Sequence, residues 1–229
     1  MNKEQFLQEL EKMNINLEQK QVEQLDKFFS MMVEWNNKIN LTSIIDEKDV
    51  YLKHFYDSLT LAKVIDFSKD IEICDVGTGA GFPGIVLKIV FPNIKITLID
   101  SLNKRINYLE EVIKELKLEN IEALHYRMEE YSKINEEKFD YIVSRAVSNI
   151  NVITEISIKS LKINGSIIIM KANAEMELEN TGDLQKLNAK VNNLVRFKLP
   201  IENSNRTLVE VKKLSKTPKQ YPRRFDKIK

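Results

Sequence analysis

The glycines of this chain are concentrated at one point. Four of its six glycines lie within residues 77–84, in the run Ile73-Cys74-Asp75-Val76-Gly77-Thr78-Gly79-Ala80-Gly81-Phe82-Pro83-Gly84. An apolar strand must end there, turn tightly and lead into a helix, because glycine takes positive φ without steric cost and lets the backbone approach a ligand closely. Four glycines placed together for packing alone would lower stability with no compensating gain. The run therefore predicts a binding loop for a nucleotide-like cofactor.

Composition fits one α/β domain with an extension, or at most two small domains. A chain of 229 residues can bury a sizeable core. Its one cysteine, Cys74, rules out an internal disulfide and fits a reducing compartment, and the two histidines lie too far apart in sequence for a zinc site. No apolar stretch approaches the roughly 20 residues of a spanning helix, and residues 1–5 lack the apolar core of a signal peptide. We expect a cytoplasmic protein that binds no metal and enters no membrane.

The charge is distributed unevenly along the chain. Residues 212–229 contain eight Lys and Arg against one Asp, a net charge of +7, and because the whole chain carries +1, the other residues carry −6. A basic tail that contains Tyr221 and Phe225, attached to a mildly acidic body, fits binding to a polyanion. The alternative is a solvated, lysine-rich terminus.

Helical periodicity changes to a strand–helix alternation near residue 71. Apolar residues recur at helical spacing over residues 3–13 and 22–39, and a third helix is expected over about residues 47–65. The later alternation is typical of a parallel sheet covered on both faces. The expected strands are Glu72–Val76, Lys95–Ile99, Glu122–His125, Phe139–Ser144 and Ser166–Lys171, and the expected helices lie near residues 84–90, 103–117 and 150–161.

Two further strands, Asn193–Pro200 and Thr207–Leu214, are too close in sequence for a crossover helix and should form an antiparallel hairpin. The sequence thus predicts an α/β fold, a Rossmann-like sheet of parallel strands with a C-terminal antiparallel hairpin and an N-terminal helical extension. We divide the chain into the extension, residues 1–66, the cofactor-binding domain, residues 67–214, and a basic tail, residues 215–229.

Two cofactor classes fit the loop. The pattern G-x-G-x-x-G of Gly79, Gly81 and Gly84 is usually read as a dinucleotide site, and Asp100, at the end of the next strand, suits the ribose hydroxyls of either class. S-adenosylmethionine is favoured because Asp75 would attract its ammonium and sulfonium charges and repel a pyrophosphate. The helical residues before the loop and the closing hairpin also favour a methyltransferase, by fold analogy. A P-loop is excluded because no Gly-Lys-Ser/Thr occurs.

Polar residues follow three of the predicted strands. These segments are Arg127-Met128-Glu129, Ser144-Arg145-Ala146 and Lys171-Ala172-Asn173. Because ligands of open α/β sheets bind beyond the carboxyl ends of the strands, we expect Glu129 at the adenine edge and Arg145 and Lys171 facing the methyl acceptor.

These residues match a known family over nearly the whole chain. The chain resembles the 16S ribosomal RNA guanine-N7 methyltransferases of the small subunit, also called glucose-inhibited division protein B. The matching segments are Asn40-Leu41-Thr42-Ser43-Ile44, His54-x-x-Asp57-Ser58-Leu59, the run from Asp75 to Ile85, Asp100-Ser101-Leu102-x-Lys104-Arg105, Ser144-Arg145-Ala146 and Tyr221-Pro222-Arg223-Arg224. The glycine-rich loop alone indicates only a methyltransferase, whereas Asp-Ser-Leu-x-Lys-Arg together with Tyr-Pro-Arg-Arg is far more specific.

The resemblance implies a class I methyltransferase sheet, S-adenosylmethionine as cofactor and methylation of guanine N7. It implies a cofactor site at Gly77, Phe82, Met128, Glu129 and Arg145. The loop pattern adds two residues. The expected cofactor-binding residues are Gly77, Gly79, Phe82, Asp100, Met128, Glu129 and Arg145. The chain departs from the family at Met128, where alanine is frequent, and at Phe225-Asp226, where glycine and proline are frequent.

Guanine N7 carries a lone pair and no proton, so its attack on the methyl group needs no general base. The Asn/Asp-Pro-Pro-Tyr/Phe motif of aminomethylating enzymes is absent after the fourth strand, and Cys74 lies inside a strand, where a thiol is usually a core residue. Catalysis is therefore predicted to depend on in-line positioning. Arg145 is the expected catalytic residue, through a hydrogen bond to guanine O6 that leaves N7 free.

The basic tail is expected to bind RNA through phosphate neutralisation and stacking. The expected RNA contacts are Lys171, Arg223 and Arg224, the expected partner is 16S ribosomal RNA or the small ribosomal subunit particle, and the expected state is a monomer. Three alternatives stay open from the residues alone: a nicotinamide-dependent dehydrogenase, a non-catalytic RNA-binding module and a small-molecule methyltransferase.

Overall fold

A mixed sheet forms the centre of the protein, and the structure, a computed structural model, describes residues 1–228. The strands are β1 Glu72–Val76, β2 Lys95–Asp100, β3 Ile121–His125, β4 Phe139–Arg145, β5 Leu161–Lys171, β6 Ala189–Lys198 and β7 Asn205–Lys213. Their order is β3-β2-β1-β4-β5-β7-β6. Strands β1 to β5 are parallel, and β7 pairs antiparallel with both β5 and β6. The predicted α/β fold with a C-terminal antiparallel hairpin is confirmed.

Helices join the strands and form the N-terminal extension. Those after β1 to β4 are Gly84–Val90, Asn103–Glu115, Met128–Ile134 and Ile150–Ser157. The extension contains Lys3–Glu11, Gln19–Ile39 and one continuous helical segment over residues 47–63, whose central part, Val50–Tyr56, is a π-helix. Shorter helices are Glu175–Leu178, Thr181–Leu187 and Phe225–Lys227. Within residues 1–228, no helix combines the length and the apolarity that crossing a membrane requires.

The extension and the sheet share a hydrophobic core. Successive residues of a strand point to opposite faces, and Ile73 and Cys74 of β1 belong to two different buried clusters. The cluster that contains Ile73 also contains Phe6 and Phe28 of the extension. The ring of Phe28 lies 5.2 Å from that of Phe82 in the glycine-rich loop. The extension therefore packs directly against the loop, while the division at residues 66 and 214 stays a prediction.

Several element bounds differ from the sequence prediction by a few residues, and two differences are larger. The helix Met128–Ile134 was not predicted, because seven residues are too short to show a helical period. Strand β5 begins at Leu161, where the prediction placed the end of a helix, and it contains Asn164 with φ of +66°. The Asn-Gly pair at 164–165 reads as a turn in the sequence, but in the structure it lies where the register of β5 against β4 shifts.

Candidate active site

The glycine-rich loop joins β1 to the helix Gly84–Val90 at the carboxyl edge of the sheet. Gly77, Gly79 and Gly81 have φ of +68°, +60° and +96°, a region that residues with a Cβ rarely adopt. The N–H of Gly77 donates to the carbonyl of Ile99 at 2.8 Å, which fixes the loop to the end of β2. A Cβ on Gly79 would have no neighbour closer than 3.9 Å. The loop thus leaves open space for a ligand beside Gly79.

Asp75 supports the loop from beneath. Its Oδ2 accepts hydrogen bonds from Thr78 Oγ1 at 2.7 Å and from the N–H of Gly84 at 2.9 Å, while its buried Oδ1 has no hydrogen-bond partner. Burial raises the pKa of Asp75 to about 6, although these two hydrogen bonds by themselves lower it. A buried carboxylate oxygen without a donor suits a cationic ligand group. The residues present therefore fit the charged amino-acid portion of S-adenosylmethionine.

A pocket of about 180 Å³ lies beside the loop, beyond the carboxyl ends of β1, β2 and β3. Four of the seven predicted cofactor residues line it, namely Gly77, Asp100, Met128 and Glu129. A larger cavity, of about 370 Å³, is found at the amino ends of the same strands. We place the cofactor in the smaller pocket, because open α/β sheets bind ligands beyond the carboxyl ends of their strands.

Asp100 is held by the chain itself at the edge of this pocket. Its Oδ2 accepts from the N–H of Gly79 at 3.0 Å and from Arg105 at 3.1 Å, and its Oδ1 accepts from the N–H of Leu102 at 2.9 Å. A carboxylate offers about four lone-pair positions. One position therefore stays available for a ribose hydroxyl, and the predicted role of Asp100 stays a prediction.

Arg145, at the end of β4, is the centre of a largely buried charged cluster. Its Nη1 donates to the carbonyl of Lys53 at 2.9 Å and to Asp57 Oδ2 at 3.3 Å. Arg206, from the start of β7, donates through Nε to Asp57 Oδ1 at 3.0 Å. One buried carboxylate thus holds two guanidinium groups. Because arginines with two partners lose little freedom when they bind a further acceptor, the cluster presents Arg145 in a fixed position.

His54 completes the cluster as a neutral side chain. Burial and the nearby Arg145 guanidinium lower the pKa of His54 to about 3. Nη2 of Arg145 lies 3.1 Å from His54 Nδ1, and His54 Nε2 lies 3.1 Å from Thr42 Oγ1. Neutral imidazole accepts at one nitrogen and donates at the other, so Nδ1 accepts from arginine and Nε2 donates to threonine. The ring also stacks on Phe82, with centroids 4.3 Å apart.

Phe82 and Arg145, two other predicted cofactor residues, belong to this cluster and do not line the pocket of about 180 Å³. The guanidinium carbon of Arg145 lies 5.2 Å from the ring centroid of Phe82. The two groups of predicted residues therefore lie at neighbouring positions of the same sheet edge, one suited to the cofactor and the other to the acceptor.

The three predicted RNA contacts differ in their surroundings. The ammonium of Lys171 forms an ion pair with Glu177 at 2.8 Å. Arg223 donates through Nε and Nη2 to the two carboxylate oxygens of Glu155, which is buried on the helix Ile150–Ser157. The side chain of Arg224 is 83% exposed. Arg224 is thus the most exposed of the three, and its ion-pair partner Asp226 is exposed as well. The RNA-binding role of all three stays a prediction.

Several residues of the site were not identified from the sequence as site residues. Asp57 and His54 had a local signal, since the His54-x-x-Asp57 spacing places both on one helical face. Arg206 had none, because its partner Asp57 is 149 residues away in the chain. Among residues 1–228, no group of three or more His, Cys, Asp or Glu side chains is gathered so that it could hold a metal ion.

The sheet order, the glycine-rich loop and the carboxylates at the ends of β1 and β2 define a methyltransferase of the Rossmann-like class that uses S-adenosylmethionine. A crystal structure described as a SAM-dependent methyltransferase from Aquifex aeolicus has the same fold, with a TM-score of 0.53 and 19% identity over 80% of this chain and 97% of that one. Residues 21–209 match the family GidB, described as rRNA small subunit methyltransferase G, and the chain belongs to this family.

Two relatives named ribosomal RNA small subunit methyltransferase G are similar over nearly their full length. The protein of Bacillus subtilis strain 168 is 43% identical over 98% of this chain and 95% of its own length. That of Oceanobacillus iheyensis is 45% identical, over 98% and 96%. The resemblance noted in the sequence is confirmed, and the dehydrogenase and non-catalytic alternatives are set aside.

Proposed function

We propose that this protein transfers the methyl group of S-adenosylmethionine to N7 of a guanine in 16S ribosomal RNA. The observation that carries the proposal is the placement of Arg145 over Phe82 of the glycine-rich loop, in a chain whose relatives are named ribosomal RNA small subunit methyltransferase G. The partner is the RNA or the small ribosomal subunit particle. The protein acts as a monomer in the cytoplasm.

The expected reaction requires no proton transfer. S-adenosylmethionine supplies an electrophilic methyl group: the bond from sulfur to methyl breaks as the bond to N7 forms, and the positive charge passes from sulfur to the guanine ring. The cluster around Arg145 agrees with this chemistry. His54 is neutral but has both ring nitrogens engaged, and Asp57 is held by two arginines. Neither side chain is placed to act as a general base.

Arg145 has unused donors for the acceptor base. Its contacts with Lys53, Asp57 and His54 occupy both N–H groups of Nη1 and one of Nη2. Of the five N–H groups of a guanidinium, the Nε–H and one Nη2–H are then available. A hydrogen bond from one of them to guanine O6 would orient the ring and leave the N7 lone pair free. Asp57 offsets part of the positive charge, which would otherwise oppose the cationic product.

The direct test is methyl transfer to RNA. Wild-type protein is incubated with labelled S-adenosylmethionine and with small subunits from cells that lack the enzyme. One guanine should become labelled, and the RNA should be cleaved there by a treatment specific for N7-methylguanosine. No transfer, or label on another atom, would contradict the proposal. S-adenosylhomocysteine and NAD are compared by titration calorimetry, and light scattering measures the oligomeric state.

The role of Arg145 is tested separately. Arg145→Ala should abolish most turnover, while Arg145→Lys, which keeps the charge but not the paired donors, should restore little of it. If Arg145→Ala kept full turnover and only weakened cofactor binding, Arg145 would be a cofactor residue and not a catalytic one.

A further inference from the structure

Residues 223–228 pack against the sheet edge that carries the cofactor pocket. The main-chain N–H of Arg223 donates to Glu155 at 3.0 Å, in addition to the two bonds from its side chain. A few residues later, Ile228 is buried in the hydrophobic cluster that also contains Ile156 and Ile99. The short helix Phe225–Lys227 is therefore anchored on both sides.

Phe225, between these anchors, lines the pocket of about 180 Å³ together with Tyr126, Arg127 and Met128. The guanidinium carbon of Arg127 lies 4.5 Å from the centroid of the Phe225 ring, within the range of a cation–π contact. Arg127 in turn donates through Nε to the buried carboxylate of Glu129 at 2.5 Å. The aromatic ring thus has a defined place in the wall of the pocket, although it comes from the last residues of the chain.

The walls of this pocket suit a purine base. Val76, Ile99 and Ile156 provide apolar surface, and Asp100 provides a carboxylate at one end. A flat base with polar edges is commonly bound by an aromatic side chain, and stacking of one base on such a ring is a substantial part of the affinity. Phe225 is still 37% exposed, so it has surface left to cover a ligand.

We propose that Phe225 forms part of the adenine subsite of S-adenosylmethionine, so that the basic tail contributes directly to the cofactor site. The inference rests on the proposed function, because it assigns a further binding residue to the same site. It also gives the tail a role in cofactor binding that is separate from any contact with RNA.

The test compares Phe225→Ala, Phe225→Tyr and wild type by calorimetric titration with S-adenosylhomocysteine. Phe225→Ala should weaken binding about tenfold, the size expected for the loss of one stacking contact, and Phe225→Tyr should keep wild-type affinity. In turnover, Phe225→Ala should raise the KM for S-adenosylmethionine and leave kcat nearly unchanged. The matched control is Ile134→Ala, an exposed apolar residue outside the pocket, which should leave both values unchanged.

Melting temperatures of all variants show whether the tail stays in place. Wild-type affinity in Phe225→Ala would overturn the inference and leave the proposed function intact. Loss of affinity in Phe225→Tyr as well as in Phe225→Ala, with an equal fall in melting temperature, would also overturn it, because the effect would then be structural. If the wild-type protein itself bound no S-adenosylhomocysteine, the proposed function would fail first.

Discussion

Asp75 is the residue at which stability and binding conflict most clearly. It is fully buried, and one of its oxygens has no donor. A carboxylate in this state favours protonation, which is why its pKa rises to about 6. A bound cationic group would supply the missing partner and lower that pKa again. Oδ2 of Asp75 supports the loop in the free protein, whereas the unpaired Oδ1 is costly until the site is filled.

The pH dependence of cofactor binding follows from this shift. The free protein binds a proton at Asp75 below about pH 6, whereas a ligand with an ammonium group favours the ionised carboxylate. Affinity for S-adenosylhomocysteine should be complete above pH 7 and should fall, by up to tenfold per pH unit, as the pH drops below about 6. Calorimetry between pH 5 and 8 measures this. Asp75→Asn should bind weakly and without this dependence; an unchanged pH profile in Asp75→Asn would exclude Asp75 as its origin.

Asp57 should act as a positioning residue for Arg145. Asp57→Asn removes the charge that pairs with Arg145 and Arg206, and breaking a buried pair of this kind typically costs about 3–5 kcal/mol of stability. We expect turnover to fall by about tenfold or more, with a smaller change in S-adenosylhomocysteine affinity. The control is Asp49→Asn on the same helical segment, whose ion pair with Lys53 is partly exposed, at 47% for Asp49, and should contribute little. An Asp57→Asn variant with normal kcat would show that Asp57 does not position Arg145.

At the scale of elements, the junction of β1, loop and helix is tightly packed where the helix begins. A Cβ on Gly84 would lie 2.2 Å from Leu98 Cδ2 and 2.9 Å from Asp75 Oδ2. Gly84→Ala must therefore displace the buried side chains of Leu98 and Asp75 or the helix itself, and we expect it to lower the free energy of unfolding by about 1–3 kcal/mol. Gly182→Ala, where a Cβ would meet nothing within 4 Å, is the matched control. Urea unfolding that gave equal midpoints for both variants would contradict this packing argument.

The same junction shows what the sequence could predict. The prediction gave the observed bounds of the strand Glu72–Val76 and of the helix Gly84–Val90, with the turn between them. The local pattern is clear there, because a short apolar run, a cluster of glycines and a second apolar run follow one another. The π-helix Val50–Tyr56 was predicted only as part of a longer helix, because six of its seven residues are buried and the segment shows no period that would separate a π-helix from an α-helix. The contact that this segment makes with the site, from His54 to Arg145, could not be predicted, because the two residues are 91 positions apart in the chain.

Long-range contacts explain the rest of the difference. Arg223 was predicted to contact RNA from its charge, but its guanidinium pairs with Glu155, 68 residues earlier. No periodicity in the sequence connects two such positions. Charge composition predicts that a segment is basic, whereas the fold decides which of its charges stay available.

At the scale of the whole molecule, the extension and the sheet should unfold together. Phe6 and Leu25 of the extension are buried in the same cluster as Ile85 and Leu98, so removal of residues 1–66 would expose the apolar face that they cover. We expect a single calorimetric transition for the full chain and an aggregating or unfolded product for residues 67–229. Two resolved transitions, or a folded fragment, would show that the extension is an independent domain.

The charge distribution predicts different salt dependences for the two ligands. Residues 212–229 carry +7 and the rest of the chain −6, so RNA phosphates should bind mainly at these C-terminal residues and release counterions. RNA affinity should fall steeply between about 50 and 200 mM salt. S-adenosylhomocysteine affinity should change little, because the charged side chains that line its pocket, Asp100, Arg127 and Glu129, are already in ion pairs within the protein.

Substitutions at Arg224 and Arg223 distinguish the loss of an exposed charge from the loss of a contact that holds the tail in place. Arg224→Ala removes an exposed charge and should reduce the salt slope of RNA binding by about one, with no change in melting temperature. Arg223→Ala leaves the buried Glu155 without its charged partner and with only the main-chain N–H of residue 223 as donor, and it should lower the melting temperature as well. Filter binding over a salt series measures both slopes. Equal salt dependence for RNA and S-adenosylhomocysteine would mean that the tail does not carry the RNA affinity.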